Sequence, residues 1–498
     1  MSVMKRLVDL VDRGPEDDWF FPSSAAETLF RSTWPVTHNA VPEVVEVGYL
    51  GAAGWGRRIT VPLRARETGD LLSWLCVRIR PRSWLGADLE SRVLAGTWDY
   101  ADPSGAWCWA ASLATAAIAK VEWEIGDTLI ESWGGEWMDV WSRLRLDGGR
   151  APVWDADIYG QRPATQLREG AGPGAGLLPS EDGYIYCWLP LSFLRRPQTA
   201  FPMVAVGEST EVRVHITFRP FAEVVRRRAQ PRTTPDEVPL GETLTMLDVT
   251  GPTPVPWQVR LPTAVPEFDD ATVFAGVVQL EDPLRSGYMR EPLEMLYEPV
   301  RHMVFDVADK QAVAGVPTTL QLRLTELNGP IRELAFVLRR KGVWGYNEWT
   351  NYGALLENAL VATIPEVGVR VPRQEPMLTR GRLWVDNAVW REETEQWWRV
   401  EYGLEHRGGV RAAAGVVYGF VLGDAARWTV DDLQPAGTVN ASRAELRLEL
   451  EVLPPEPTPA EMEDCEAGGR SGWEVHVFGV GLNWMRFVGG VVGPLFQD

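Results

Sequence analysis

Glu211-Val-Arg-Val-His-Ile-Thr-Phe218 decides how this chain is read. Val212, Val214, Ile216 and Phe218 fall on one side of an extended backbone and Arg213, His215 and Thr217 on the other, the period of two of a half-buried strand. Working outward, the same alternation recurs at Arg57-Arg-Ile-Thr-Val-Pro-Leu-Arg-Ala-Arg66 and Val121-Glu-Trp-Glu-Ile125. It returns at Thr319-Leu-Gln-Leu-Arg-Leu324 and Ala444-Glu-Leu-Arg-Leu-Glu-Leu-Glu-Val452. Helical spacing is scarce, with Glu136 to Leu144 and Leu293 to Tyr297 as the better short candidates. In 498 residues, 37 Pro and 47 Gly punctuate short strands, so the expected class is all-β, a sandwich or a jelly roll.

Two stretches read as long connections. One, 147–182, contains Gly170-Ala-Gly-Pro-Gly-Ala-Gly176 and is expected to be a surface loop. The other runs from Arg226 through Gln230-Pro-Arg-Thr-Thr-Pro235 to Pro266 and is expected to be a domain boundary. A cut there leaves two similar halves of about 200 residues, each the size of one elaborated sandwich. Leu453-Pro-Pro-Glu-Pro-Thr-Pro459 opens a further exposed loop that ends near Gly469.

Charge excludes several functions. The chain carries 49 basic and 68 acidic residues, a formal net charge of −19. Only Lys5, Lys120, Lys310 and Lys341 are lysines, and none is followed by Ser or Thr, so no phosphate-binding P-loop is encoded. Clustered positive charge is confined to Arg226-Arg227-Arg228, which opposes direct binding of nucleic acid. The excess of Arg over Lys fits either guanidinium forks at subunit contacts or a GC-rich genome. No secretory leader is visible at the N-terminus, and the uncharged run 103–119 is short for a membrane span and reads as core. Cys76, Cys108, Cys187 and Cys465 are far apart with no CxxC, the usage of reduced intracellular thiols.

Catalytic signatures are not found. His38, His215, His302, His406 and His476 have no metal-ligand spacing, and His215 reads as a structural histidine of its strand. There is no GxSxG elbow, and the Gly-rich 170–176 loop lacks the strand and helix of a dinucleotide site. Trp123, Trp133, Trp137 and Trp141 lie near Glu122, Glu124, Glu131, Glu136 and Asp139, a combination that sugar-active sandwiches also use. Trp137 and Trp141, four apart on a short helix, read better as packing. Asn440-Ala-Ser442 is a formal glycosylation sequon that reads better as a turn at the start of a strand. No catalytic, cofactor-binding or metal-binding residue is therefore assigned.

Taken in order, the segments resemble the major capsid proteins of nucleocytoplasmic large DNA viruses, the double jelly-roll family. Leu7-Val-Asp-Leu-Val-Asp12 and Ala26-Glu-Thr-Leu-Phe-Arg-Ser-Thr33 are similar to the family's arm and first strand. Val121-Glu-Trp-Glu-Ile-Gly-Asp-Thr-Leu-Ile130 with Gly135-Glu-Trp-Met-Asp-Val-Trp141 resembles its strand, Gly turn and Trp-bearing helix. Tyr184-Ile-Tyr-Cys-Trp-Leu-Pro-Leu-Ser-Phe-Leu-Arg-Arg-Pro197, leading through Ala200-Phe-Pro-Met-Val-Ala205 to the strand ending at Phe218, is the most specific marker. The second half follows with Gly276-Val-Val-Gln-Leu-Glu-Asp282, Glu291-Pro-Leu-Glu-Met-Leu-Tyr297, Ile331-Arg-Glu-Leu-Ala-Phe-Val337 and Asn347-Glu-Trp-Thr-Asn-Tyr352. It closes with Gln434-Pro-Ala-Gly-Thr-Val-Asn-Ala-Ser-Arg443 and Val477-Phe-Gly-Val-Gly-Leu-Asn-Trp-Met-Arg-Phe-Val-Gly-Gly490. Departures at 283–290 and 435–443 mark a divergent member.

The resemblance implies two tandem eight-stranded antiparallel jelly rolls with short helices in the loops. The expected division is an N-terminal arm at 1–25, a first jelly roll at 26–222, a linker at 223–265 and a second jelly roll at 266–498. The implied role is structural: a non-enzymatic capsid protein without cofactors, forming homotrimers that act as pseudo-hexameric capsomers and tile an icosahedral shell. Implied partners are neighbouring capsomers, minor capsid and penton proteins, and an inner membrane met through the arm with Trp19, Phe20 and Phe21. Loops 147–182 and 339–365 would form outer towers or locks between neighbours. Synthesis in the host cytoplasm and residence in the virion follow. A minor capsid or vertex protein of the same fold is the nearest alternative, and a Trp-rich carbohydrate-binding or glycoside-cleaving sandwich the alternative from another class.

Overall fold

The chain, represented by a computed structural model, divides into two units, Met1–Ala40 and Val41–Asp498. The structure describes residues 39–82, 107–110, 112–145, 184–193, 200–227, 267–307, 315–340, 347, 349–353, 376–399, 416–421, 437–454 and 473–496. The expected arm, its Trp19, Phe20 and Phe21, and the 147–182 loop lie outside these residues.

The first half contains β1 (Ala40–Val47), β2 (Arg58–Leu63), β3 (Leu71–Pro81), β4 (Trp107–Trp109), β5 (Ile118–Ile125), β6 (Thr128–Trp133), β7 (Ile185–Trp188), β8 (Val212–Phe218), β9 (Val225–Arg227) and β10 (Phe268–Leu280). One sheet runs β1-β10-β3-β7 and the other β2-β8-β5-β6, with β4 and β9 paired as a short ribbon. The deciding segment is β8, buried at every second residue, and it lies between β2 and β5 in antiparallel register. Short helices interrupt the strands: α1 (Ala65–Thr68), α2 (Leu113–Ala117), α3 (Gly135–Arg145), α4 (Phe221–Val224) and α5 (Asp282–Arg290).

The second half comprises β11 (Leu293–Tyr297), β12 (Val300–Val307), β13 (Thr318–Arg323), β14 (Pro330–Arg340), β15 (Leu378–Val385), β16 (Ala388–Thr394), β17 (Tyr418–Val421), β18 (Val439–Asn440), β19 (Leu446–Val452), β20 (Trp473–Gly481), β21 (Asn483–Val488) and β22 (Val491–Pro494). Its sheets run β12-β20-β14-β17, with β18 beside β14, and β13-β19-β15-β16; β11-β21-β22 form a small third sheet. Setting aside the ribbons and the small sheet, the eight sandwich strands of each half follow one order. The first, eighth, third and sixth make one sheet and the second, seventh, fourth and fifth the other. That is a jelly roll executed twice, and the pairing with the eighth strand beside the first is the long-range closure that local sequence does not announce.

Two expectations are corrected by this order. The linker expected at 223–265 and the second jelly roll expected from 266 misplace β10, which pairs with β3 from Phe268↔Pro81 to Val278↔Leu71. The first jelly roll therefore runs to Leu280, and the Pro-rich stretch before β10 joins its seventh and eighth strands. Composition cannot tell a stretch between two strands of one sandwich from a boundary between two sandwiches. The second correction concerns Leu293 to Tyr297, which is strand β11, paired with β21 from Leu293↔Phe487 to Tyr297↔Asn483. Five residues of good helix formers are too few to nucleate a helix against a partner strand. The helix lies just upstream instead, where Pro283 occupies the first turn of α5 and Arg290 the last.

A continuous apolar core runs through both halves, from Ile59, Val61 and Trp123 to Phe336, Leu450 and Val477. The described part of the uncharged run is largely core, with Leu113, Ala114, Ala116, Ala117 and Ile118 fully buried. The α3 helix agrees with its predicted span and packs Trp137 against Phe478 of β20, 5.2 Å between ring centroids. Its N-terminus approaches α2 so closely that a Cβ on Gly135 would lie 1.9 Å from the Thr115 carbonyl oxygen. Only glycine permits that approach.

Candidate functional site: a polar seam between the jelly rolls

The strands β14 and β20 explain where the polar residues gather. Along β20, Glu474, His476 and Phe478 share one face and Val475 and Val477 the other, the pattern of a strand with one wet side. Yet all nine residues of β20 are buried, as are all but the first of β14. The first jelly roll covers the outer face of this sheet. Side chains that alternation assigns to solvent thus become the lining of an internal seam.

At the centre of the seam Arg339 of β14 reaches in two directions. Its Nη1 donates to Glu136 Oε1 at 2.9 Å, at the start of α3, and its Nη2 lies 2.6 Å from Glu474 Oε1. Arg219, just after β8, donates from Nη2 to Glu136 Oε1 at 2.9 Å and stacks on Trp349 with its guanidinium carbon 3.8 Å from the ring centre. Burial alone would raise the Glu136 carboxyl, but Arg219, Arg339 and His476 overcome it and hold the group well below the usual carboxylate range. Burial likewise opposes ionisation of Glu474, and its contact with His476 together with Arg339 brings it down to about 2. Both carboxylates are therefore charged at neutral pH, matched by two guanidiniums.

Backbone contacts close the seam on either side. Trp349 Nε1 donates to the Glu223 carbonyl at 2.7 Å, Asn347 Nδ2 to the Ala222 carbonyl at 2.7 Å, and Arg143 Nη2 to the Thr350 carbonyl at 3.2 Å. The described part of the 339–365 loop is thus an internal lock between the halves; the tower or neighbour contact expected of it does not apply to Asn347 or Trp349 to Asn351, which are buried. At the other end, the β21–β22 hairpin turns through Gly489 and Gly490 at φ of 58° and 85°. Its tip accepts a hydrogen bond at the Gly490 carbonyl from Gly207 N at 2.8 Å, and Phe487 packs on Phe201 at 5.4 Å.

Next to the charged centre are two imidazoles. His302 of β12 and His476 of β20 approach at 2.9 Å, Nε2 to Nδ1, and both stack with Phe478. His476 Nε2 lies 2.9 Å from Glu474 Oε1, an ion-pair contact without the angle of a good hydrogen bond. The rings line a cleft of about 700 Å³ that also touches β6 and Trp349.

Residues weighed for other chemistry have structural positions. Trp123, Trp133 and Trp137 are buried in the core and offer no platform to a sugar. Glu131 Oε1 accepts from Ser192 N at 2.8 Å, and Asp139 lies 2.9 Å from Arg143. His215 is held between Thr60 Oγ1 at 2.8 Å and Glu124 Oε2 at 3.0 Å, the satisfied strand histidine expected. Asn440 is exposed, and its side-chain oxygen accepts from Ser442 N at 3.0 Å, the turn expected before β19. Cys76 and Cys187 are free and buried on adjacent strands; Cys465, His38 and His406 lie outside the described residues. Among the described residues no group of His, Cys, Asp and Glu has the geometry to hold a metal, and no helix is long and apolar enough to cross a membrane. Sequence reading missed the seam because its members, Glu136, Arg219, His302, Arg339, Trp349, Glu474 and His476, are scattered over more than 300 residues; the charged alternation in β20 was the available signal.

Two eight-stranded jelly rolls of one strand order, side by side in one chain, define a double jelly-roll protein. Comparison with known proteins agrees. Residues 28–247 match the family described as "Major capsid protein N-terminus". The chain is similar to the major capsid protein of Chrysochromulina ericina virus, at 24% identity over 244 residues, covering 44% of this chain and 41% of that protein. It is similar also to that of Phaeocystis pouchetii virus, at 25% over 235 residues, with coverage of 44% and 41%. The chain thus spans less than half the length of these curated relatives. Among solved structures, VP54 of PBCV-1 superposes with a TM-score of 0.65 at 15% identity, covering 95% of this chain and 100% of that one. The Faustovirus major capsid protein gives 0.60 at 11%, covering 93% of each. At such identities the superpositions establish the fold, and the motif resemblance to capsid proteins of large DNA viruses is borne out.

Proposed function

We propose that the protein is a structural major capsid protein whose activity is self-assembly: three chains form a pseudo-hexameric capsomer, and capsomers tile the icosahedral shell of a large double-stranded DNA virus. The observation that carries this reading is the repeated strand order, which gives one chain two similar wedges, so that a three-fold axis generates six. Support comes from the match of residues 28–247 to the N-terminus of major capsid proteins. The seam fits the role, because a building block must hold its two wedges at a fixed angle, and buried ion pairs fix geometry more than they add stability. The net charge of −19 keeps copies soluble before assembly and argues against contact with the genome.

Exposed apolar side chains supply material for contacts between chains. Val41 and Val44 stand on the edge strand β1, and Trp484, Val488, Val491, Leu495 and Phe496 on and beside the β21–β22 hairpin. Residence in the virion follows from the role, as do contacts with minor capsid and penton proteins. Size-exclusion chromatography with light scattering tests the reading: the expected mass is three times 55.6 kDa. A stable monomer in native buffer would overturn it. A minor or vertex role for the same fold is separated by quantitative mass spectrometry of purified particles, in which the major protein dominates the protein mass.

A further inference from the structure

The two imidazoles of the seam hold one another in a defined protonation state. Even without the angle of a good hydrogen bond, a carboxylate oxygen 2.9 Å from His476 Nε2 repels a lone pair and favours the proton on that nitrogen, which leaves Nδ1 as the acceptor. His302 Nε2 therefore carries the hydrogen that it donates across 2.9 Å. We infer that the His302–His476 pair is a proton-operated latch on the seam, closed while both rings are neutral and released when the pair has taken up two protons.

The proton balance explains why two are needed. The first can be shared: His476 takes it at Nδ1 and donates it to His302 Nε2, whose own hydrogen moves to Nδ1. The second would leave an N–H on both facing nitrogens at 2.9 Å, and the rings must then part. Charge is divided, since Arg339 opposes protonation of both rings while Glu136 and Glu474 favour it, and burial decides the direction. Glu136 and Glu474 are already matched by Arg219 and Arg339, so each added proton is a net positive charge inside the seam.

The other charged groups around the cleft have positions of their own. Lys120 of β5 is held 2.6 Å from Glu122, and Glu131 of β6 binds Ser192 N. Glu223, Arg301 and Glu326 line the rim, while Asp139, Arg143 and Tyr352 lie behind Arg339. His302 is placed to move the seam, because β12 is an edge strand of its sheet and contacts β6, an edge strand of the first jelly roll.

The sign follows from linkage. Burial foremost, then His476, lowers His302 from 6.5 to about 3, and burial with Arg339 lowers His476. With the seam open, both rings regain the ordinary value, so the open state binds more protons below it. The closed seam is fully favoured above about pH 6.5 and loses ground as pH falls from there toward about 3.

The test is hydrogen exchange by mass spectrometry on the full chain from about pH 7.5 to about 4.5, corrected for intrinsic exchange. Segments covering β12, β20 and the start of α3 are expected to lose protection with a slope of about two protons, while β2, β8, β13 and β19 stay protected. His302→Phe keeps a ring on Phe478 and removes one titrating group, so its slope falls to about one and its midpoint moves to lower pH. An unchanged slope and midpoint in that variant, or a wild-type seam that opens only with the whole molecule, would overturn the latch. Should the variant not fold, histidine proton resonances of the wild type decide. Joint titration of His302 and His476 below the ordinary value supports the latch; separate titration at about 6.5 refutes it.

Discussion

Arg339 shows what one residue does at the seam. Its guanidinium joins Glu136 of one jelly roll to Glu474 of the other, at 2.9 and 2.6 Å, with all three side chains nearly excluded from solvent. A lysine at this position would offer a point charge and could not fork between two carboxylates in fixed directions. The Arg bias of the composition has a structural use at this point, whatever its genomic origin. Arg339→Ala would leave Glu136 and Glu474 facing each other with less compensation and is expected to destabilise the protein by about 3–5 kcal/mol, as found when one partner of a buried pair is removed. Chemical denaturation measures this; a loss below about 1 kcal/mol would show that the seam is wet and the pairs screened.

At the scale of elements, the α2–α3 contact inside the first jelly roll sets where the helix that meets the second jelly roll begins. Gly134 and Gly135 follow β6 and let α3 begin directly beneath the Thr115 and Ile118 carbonyls. The helix then carries Glu136 to the seam and Trp137 to Phe478. A methyl group at Gly135 would overlap the Thr115 carbonyl oxygen, so Gly135→Ala should cost several kcal/mol although alanine is the better helix former, roughly 1 kcal/mol better than glycine. A thermal melt of that variant within a degree of wild type would mean that the α2–α3 spacing relaxes freely. Strand β11 teaches the complementary lesson: Leu-Glu-Met-Leu favours a helix locally, and the pairing with β21 overrides it.

For the whole molecule, the question is whether the two jelly rolls behave as two domains or one. Val41–Asp498 is a single compact unit, with an apolar core that runs through both halves. The seam residues and the hairpin tip at Gly490, bonded to Gly207, tie the halves at both ends. Calorimetry should therefore give one cooperative transition for this unit; two resolved transitions would show that the seam is weaker than either jelly roll.

What the sequence by itself determined were the strands whose two faces meet different environments. Val212 to Phe218, Arg58 to Leu63 and Leu446 to Val452 alternate because one side meets the core and the other water, and that contrast is written locally. The glycine turn and Trp-bearing helix at 126–141 were legible for the same reason. Only the tertiary structure decided that Phe268 to Leu280 closes the first jelly roll, that Leu293 to Tyr297 is a strand, and that Glu474, His476 and Arg339 face a protein surface. Each of these depends on a partner distant in sequence, and a polar residue that faces water has the same local pattern as one that faces a buried counter-charge. The physical difference lies in what covers it, and the cover for β14 and β20 comes from residues more than 100 positions away.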